Sequence, residues 1–144
     1  MTRKLFIGTA LAALIGFAPV PASANDVHIQ QYGWHNSGGG AQTGFRNRIR
    51  VYQDGRRNGA TAKQWGNRNL SAAGQQGFDN RSATYQYGNA NSAGVGQFGR
   101  NHNSILIQDG NGNIAAGVQI GNGCEGQVVQ TGRGNVAAFV QSCP

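Results

Sequence analysis

Gln86-Tyr87-Gly88-Asn89-Ala90-Asn91-Ser92-Ala93-Gly94-Val95-Gly96-Gln97 decides how this chain folds, because the glutamine that opens the block also opens the next one. Working outward in both directions, glutamine returns every eleven residues without a slip, at Gln31, Gln42, Gln53, Gln64, Gln75, Gln86, Gln97, Gln108, Gln119, Gln130 and Gln141. Two places after it stands glycine, at Gly33, Gly44, Gly55, Gly66, Gly77, Gly88, Gly99, Gly110, Gly121 and Gly132. Five places after it stands asparagine, at Asn36, Asn47, Asn58, Asn69, Asn80, Asn91, Asn113 and Asn135, with His102 and Cys124 as the two substitutes. Seven places after it the residue is small, as in Ala60, Ser82 and Ala115, and Ile49 is the one bulky member. A globular core does not ask for one polar residue at a fixed pitch. A stack of like turns does.

The columns also give the local geometry. From each Asn to the following Gln, the regular positions alternate with variable ones, a period of two that predicts a strand. Asn25-Asp26-Val27-His28-Ile29-Gln30-Gln31 supplies the same half-repeat at the start, so eleven strands are expected. The four residues between these seven-residue segments always include glycine, as turns require. A helix is excluded by the frequency of Gly and Asn. The regular positions (Asn, the small residue, a ninth place such as Val51, Ala62, Val95 or Leu106, and Gln) suit a narrow interior. The variable positions between them suit solvent. Two strands and their turns then form one 22-residue coil, and the fold class is all-β: a two-strand-per-coil β-solenoid with parallel, in-register, amyloid-like cross-β stacking. At ~4.8 Å per coil the stack rises ~26 Å. Each buried Gln and Asn is expected to hydrogen-bond its own counterpart one coil along, which satisfies amides that are otherwise costly to bury.

The bulk composition alone points elsewhere. Leu, Ile, Val and Phe supply 20 of residues 25–144, a proportion typical of disordered chains. The strict period overrides that reading, since disorder makes no demand on spacing. Residues 1–24 are expected to be a secretory signal peptide: Arg3 and Lys4, an apolar run over Leu5–Phe17, and Pro21-Ala22-Ser23-Ala24 as the cleavage region. The apolar run is shorter than the ~20 residues of a membrane span. Residues 25–144 are read as one repeat domain. Without Arg3 and Lys4, ten Lys+Arg stand against five Asp+Glu, so this domain is basic, most strongly in its first half.

The blocks Gln86-Tyr87-Gly88-Asn89-Ala90-Asn91, Gln64-Trp65-Gly66-Asn67-Arg68-Asn69 and Gln108-Asp109-Gly110-Asn111-Gly112-Asn113 resemble curlin repeats. Curlins are the subunits of curli, the extracellular functional amyloid fibres of bacteria. The resemblance implies a secreted subunit that polymerises at the cell surface into a biofilm matrix, as either the bulk subunit or the nucleator. It implies as partners a second curlin subunit, an outer-membrane secretion pore and accessory factors. The basic character, the two cysteines and the near absence of an unrepeated N-terminal segment depart from the pattern of a major subunit.

Assembly is also expected from the residues themselves. The first repeat opens at the expected cleavage site and Gln141 lies three residues from the C-terminus, so both ends are read as open strand edges. Head-to-tail stacking of one copy on the next follows. Arg46 and Arg68 are 22 apart and stack at one turn, with Arg57 at the opposite turn. They act either as gatekeepers against premature aggregation or as a contact for an anionic surface polymer or partner. Cys124 takes an Asn place and Cys143 a Gly place one coil on, which allows a disulfide; free or intermolecular thiols are the alternatives. No spacing of His, Cys, Asp and Glu suggests a metal, a cofactor or a catalytic cluster, so an enzyme is not expected. The rival reading is a monomeric secreted β-solenoid that binds a glycan, a surface or ice.

Overall fold

The computed structural model describes residues 24–144, so the expected signal peptide lies, but for Ala24, outside the described residues. Eleven strands follow one another with no helix among the described residues: β1 (Asp26–Trp34), β2 (Ser37–Thr43), β3 (Arg48–Arg56), β4 (Gly59–Trp65), β5 (Leu70–Phe78), β6 (Arg81–Asn89), β7 (Ser92–Arg100), β8 (Asn103–Asn111), β9 (Ile114–Asn122), β10 (Glu125–Arg133) and β11 (Val136–Cys143). Odd strands form one sheet in the order β1-β3-β5-β7-β9-β11, and even strands form the other, β2-β4-β6-β8-β10. Every pairing is parallel, with residue i opposite residue i+22, so Gln31 meets Gln53 and Gln86 meets Gln108. The chain is a β-solenoid of 22-residue coils.

The strands run longer than the sequence columns suggest. Most span nine residues rather than seven, because backbone pairing continues past Gln through the glycine column, as at Gly33 opposite Gly55. The four-residue turn shrinks accordingly. Between β1 and β2 only His35 and Asn36 lie outside the strands, and β11 ends at Cys143 rather than Gln141.

Glycine is required in its column for two reasons at once. Gly77 has φ +124, and a Cβ there would lie 2.0 Å or less from the carbonyl oxygen of Gly99 on the next coil. Positive φ and a backbone clash exclude every other residue. Two places further on, a second position is left-handed at every corner. It is occupied by His35, Arg46, Arg57, Arg68, Asp79, Ala90 and Asn101, and only then by Gly112, Gly123 and Gly134.

The interior alternates apolar and polar layers. Ile49, Val51, Ala60 and Ala62 form one buried cluster, and Ala93, Val95, Leu106 and Ala115 a second. Between them, on β5 and β6, Ser71, Ser82 and Thr84 are buried inward, beside Ala73, which is partly buried against the first cluster. Bulk on one sheet is met by absence of bulk on the other. A Cβ added at Gly40 would stand 2.6 Å from the Ile49 Cδ1 atom, which is how the one bulky member of the small column is housed. Phe139 is housed the same way: its ring would meet a Cβ at Gly117 on the strand below it and one at Gly126 on the facing sheet.

Candidate self-assembly site

The chemistry that repeats along this molecule is the primary amide. Each glutamine Nε2 donates one hydrogen to the Oε1 of the glutamine one coil along. On the odd sheet the distances are 2.6 Å for Gln31–Gln53, 2.7 Å for Gln53–Gln75 and Gln75–Gln97, and 2.9 Å for Gln97–Gln119 and Gln119–Gln141. On the even sheet they are 2.8 Å for Gln42–Gln64, 2.7 Å for Gln64–Gln86, 2.8 Å for Gln86–Gln108 and 2.9 Å for Gln108–Gln130. The second Nε2 hydrogen goes to a carbonyl on the facing sheet, as from Gln86 to the Leu70 oxygen at 2.9 Å. One side chain therefore ties two coils and two sheets. Gln53, Gln64, Gln86, Gln97, Gln108 and Gln119 are wholly buried. Fully satisfied, such a network specifies one register rather than destabilising the core.

The asparagines also bond their counterparts one coil along, but through the counterpart's backbone N–H, with a side-chain bond added at Asn113–Asn135. The Oδ1 of Asn69 accepts the backbone N–H of Asn91 one coil along at 3.0 Å, while its Nδ2 donates to the carbonyl of Gly88, nineteen residues on, at 2.8 Å. Asn36, Asn47, Asn58, Asn80 and Asn91 repeat this pattern. Asparagine is a corner clamp: beside the corner's own coil-to-coil backbone bonds, such as Ala90 N–H to the Asn67 carbonyl, it supplies the acceptor for the next asparagine N–H and a donor to the glycine carbonyl.

The two exceptions in the column obey the same rule. His102 is buried; its Nδ1 accepts the Cys124 N–H at 3.1 Å, and its Nε2 lies 3.2 Å from the Phe98 carbonyl. With the proton on Nε2, imidazole accepts from the next coil as the asparagine Oδ1 does and donates to the carbonyl four residues back, as Asn69 also does to Trp65, but it does not make the bond to the glycine nineteen residues on. Cys124 and Cys143 are joined by a disulfide with a Cα–Cα distance of 5.6 Å, and their separation is 19 residues. That is the separation between each asparagine and the glycine carbonyl it clamps. The bond ties β11 to the corner before β10.

The arginines singled out in the sequence fall into two groups. Arg46 and Arg68 lie in one corner column, and the Arg46 guanidinium sits 4.8 Å from the centre of the Phe45 ring. Arg57 lies at the opposite corner, 5.6 Å from the Phe78 ring. The three do not form one patch. Sequence reading passed over Arg56 and Arg100, which with Phe78 line a shallow groove beside Arg57. Their signal was available, because 56, 78 and 100 share one column of the 22-residue frame. Asp26 pairs with Arg50 at 2.7 Å, and that hydrogen bond holds its carboxyl below the usual value of 3.8. No group of three or more His, Cys, Asp and Glu able to hold a metal ion occurs among the described residues.

Both ends of the described stack carry half of each ladder. Gln130 and Gln141 donate only to the Ile114 and Glu125 carbonyls, so each has an Nε2 hydrogen without a coil above it to receive it. Gln31 and Gln42 donate upward, and no side chain below them donates to their Oε1 atoms. The two ends present opposite halves of one hydrogen bond.

A family model, the curlin associated repeat, matches residues 83–110, the span of β6 to β8 that contains the block from which the repeat was read. The resemblance to curlins rests on that match together with the columns. No curated protein matches the chain.

Proposed function

We propose that residues 25–144 form a secreted structural subunit that polymerises end to end into extracellular curli-like amyloid fibres. The curlin repeat and the solenoid both point to a structural protein. The observation that carries the polymer reading is the polarity of the ends: Gln130 and Gln141 offer donors where Gln31 and Gln42 offer acceptors, on strand edges that pair with nothing among the described residues. Edges of this kind are templates for another chain. Export follows removal of residues 1–24 as a signal peptide, and the family resemblance extends the partners to a second curlin subunit, an outer-membrane pore and accessory factors. The ladder glutamines and asparagines and the turn glycines form the fibre core. Arg46, Arg57 and Arg68, outside it, keep the chain soluble until assembly or meet an anionic surface polymer.

Seeded growth tests the reading. Purified residues 25–144 should convert to dye-binding fibres after a lag, and sonicated fibres should abolish that lag. A chain that stays monomeric for days at high concentration, seeded or not, contradicts it.

A further inference from the structure

The described residues form eleven half-coils, an odd number, and parity dictates how two copies of them can meet. At one end β1 is the outermost strand of the odd sheet and β2 of the even sheet; at the other end these places belong to β11 and β10. Along the axis each half-coil climbs ~2.4 Å, half the inter-strand spacing. Both ends are therefore steps. At the lower end β1 lies half a spacing below β2. At the upper end β10 lies half a spacing below β11. If the next copy were placed without rotation, β1 would rest on β11. The step would then face a step of the wrong sense, and the even sheet would be left with a slot one strand wide. Its unpaired N–H and C=O groups would be buried in the joint.

We infer that successive copies are related by a half-turn about the fibre axis, so that β1 of the next copy pairs with β10 and β2 of the next copy with β11, each sheet running on into the other sheet of its neighbour. This rests on the polymer reading above and fixes its geometry. Under this operator the eleven-residue frame crosses the boundary unbroken. Gln130 donates to the next copy's Gln31, and Gln141 to the next copy's Gln42. The half-repeat is the same on both sheets, so the exchange of sheets disturbs neither ladder.

Core packing supports the half-turn independently. Phe139 on β11 is the bulkiest inward residue near the upper end, and inside the chain it is met by glycine both below it and across from it. With the half-turn the position above it is Gly40 of the next copy, and Ile29 of that copy moves across to stand over Val128. Without rotation Ile29 would stack directly on Phe139. The half-turn thus sets Phe139 beneath a glycine, as it sits above Gly117 inside the chain, although the space beside Gly40 is shared with Ile49 of the same copy.

Helical reconstruction of fibres grown from residues 25–144 tests the proposal. The expected operator is a rise of ~26 Å per subunit with a rotation close to half a turn. A rotation close to zero with a larger rise overturns the inference and leaves the polymer reading standing, whereas failure to form fibres overturns both. A second arm lengthens the chain by one eleven-residue half-coil. Twelve half-coils should return the rotation to near zero, and an unchanged half-turn in that variant counts against the parity argument.

Discussion

At the scale of single residues, two positive-φ positions, two and four places after their own glutamines, behave oppositely to substitution. Gly77, with positive φ and the Gly99 carbonyl in its path, tolerates no Cβ. Gly77→Ala should lower stability by the ~1–3 kcal/mol of a strained backbone at least, with the clash added to it. Ala90 stands exposed in the left-handed corner at φ 57. Ala90→Gly should raise stability by ~1 kcal/mol. Chemical denaturation of the monomer before assembly reads both signs. The contrast also shows what the sequence left unread. The first glycine column is unbroken from Gly33 to Gly132 because geometry and sterics coincide there, and it gives way only at Cys143 on the last strand. The left-handed column holds His, Arg, Asp, Ala, Asn and Gly in turn, so no residue type betrays it. Asp26 gives a pH effect of defined sign. Its carboxyl is lowered chiefly by the Arg50 hydrogen bond, so its contribution is present above the ordinary carboxylate value and is lost as pH falls through the lowered one. A carboxyl-resolved NMR titration should place its midpoint below 3.8, and Arg50→Gln should move it upward; a midpoint unmoved by that change contradicts the assignment.

At the scale of the element, the half-coil is a strand plus a clamped corner, and the clamp can be made of different chemistry. Asparagine, histidine and a disulfide all connect a corner to the coil ahead. His102→Asn should therefore be nearly neutral, since it restores the column, while His102→Ala leaves the Cys124 N–H without its acceptor and should cost ~1–3 kcal/mol. The Cys124–Cys143 bridge closes a short loop, and its reduction should remove ~3 kcal/mol. The loss should be local: hydrogen exchange should quicken in β11 and the corner before β10, leaving β3 to β8 protected. Uniform quickening contradicts a local role. The strands themselves were legible from the period of two between Asn and Gln. Their ends were not, because the backbone ladder runs through the glycine column, where side chains carry no periodic signal. The asparagine clamp was likewise hidden, because its partners are main-chain groups that have no letter in the sequence.

At the scale of the whole molecule, stability comes from satisfied amides as much as from apolar burial. Two small apolar clusters flank a polar layer at Ser71, Ser82 and Thr84, and the glutamine columns run uninterrupted past all three. The coil length, the parallel register and the glutamine ladders were all readable from one spacing. The corner columns of arginines and the odd number of strands were readable as well; that Arg57 lies over the Phe78 ring emerges only when the coil is closed. In the proposed fibre each subunit keeps its own 22-residue ladder. Solid-state NMR of fibres grown from labelled chain diluted in unlabelled chain tests this most directly, through the Gln86–Gln108 side-chain contact. The contact should survive dilution at full relative intensity, because both residues belong to one chain. Its disappearance on dilution, with glutamines instead stacked on the same residue of neighbouring chains, would contradict the account.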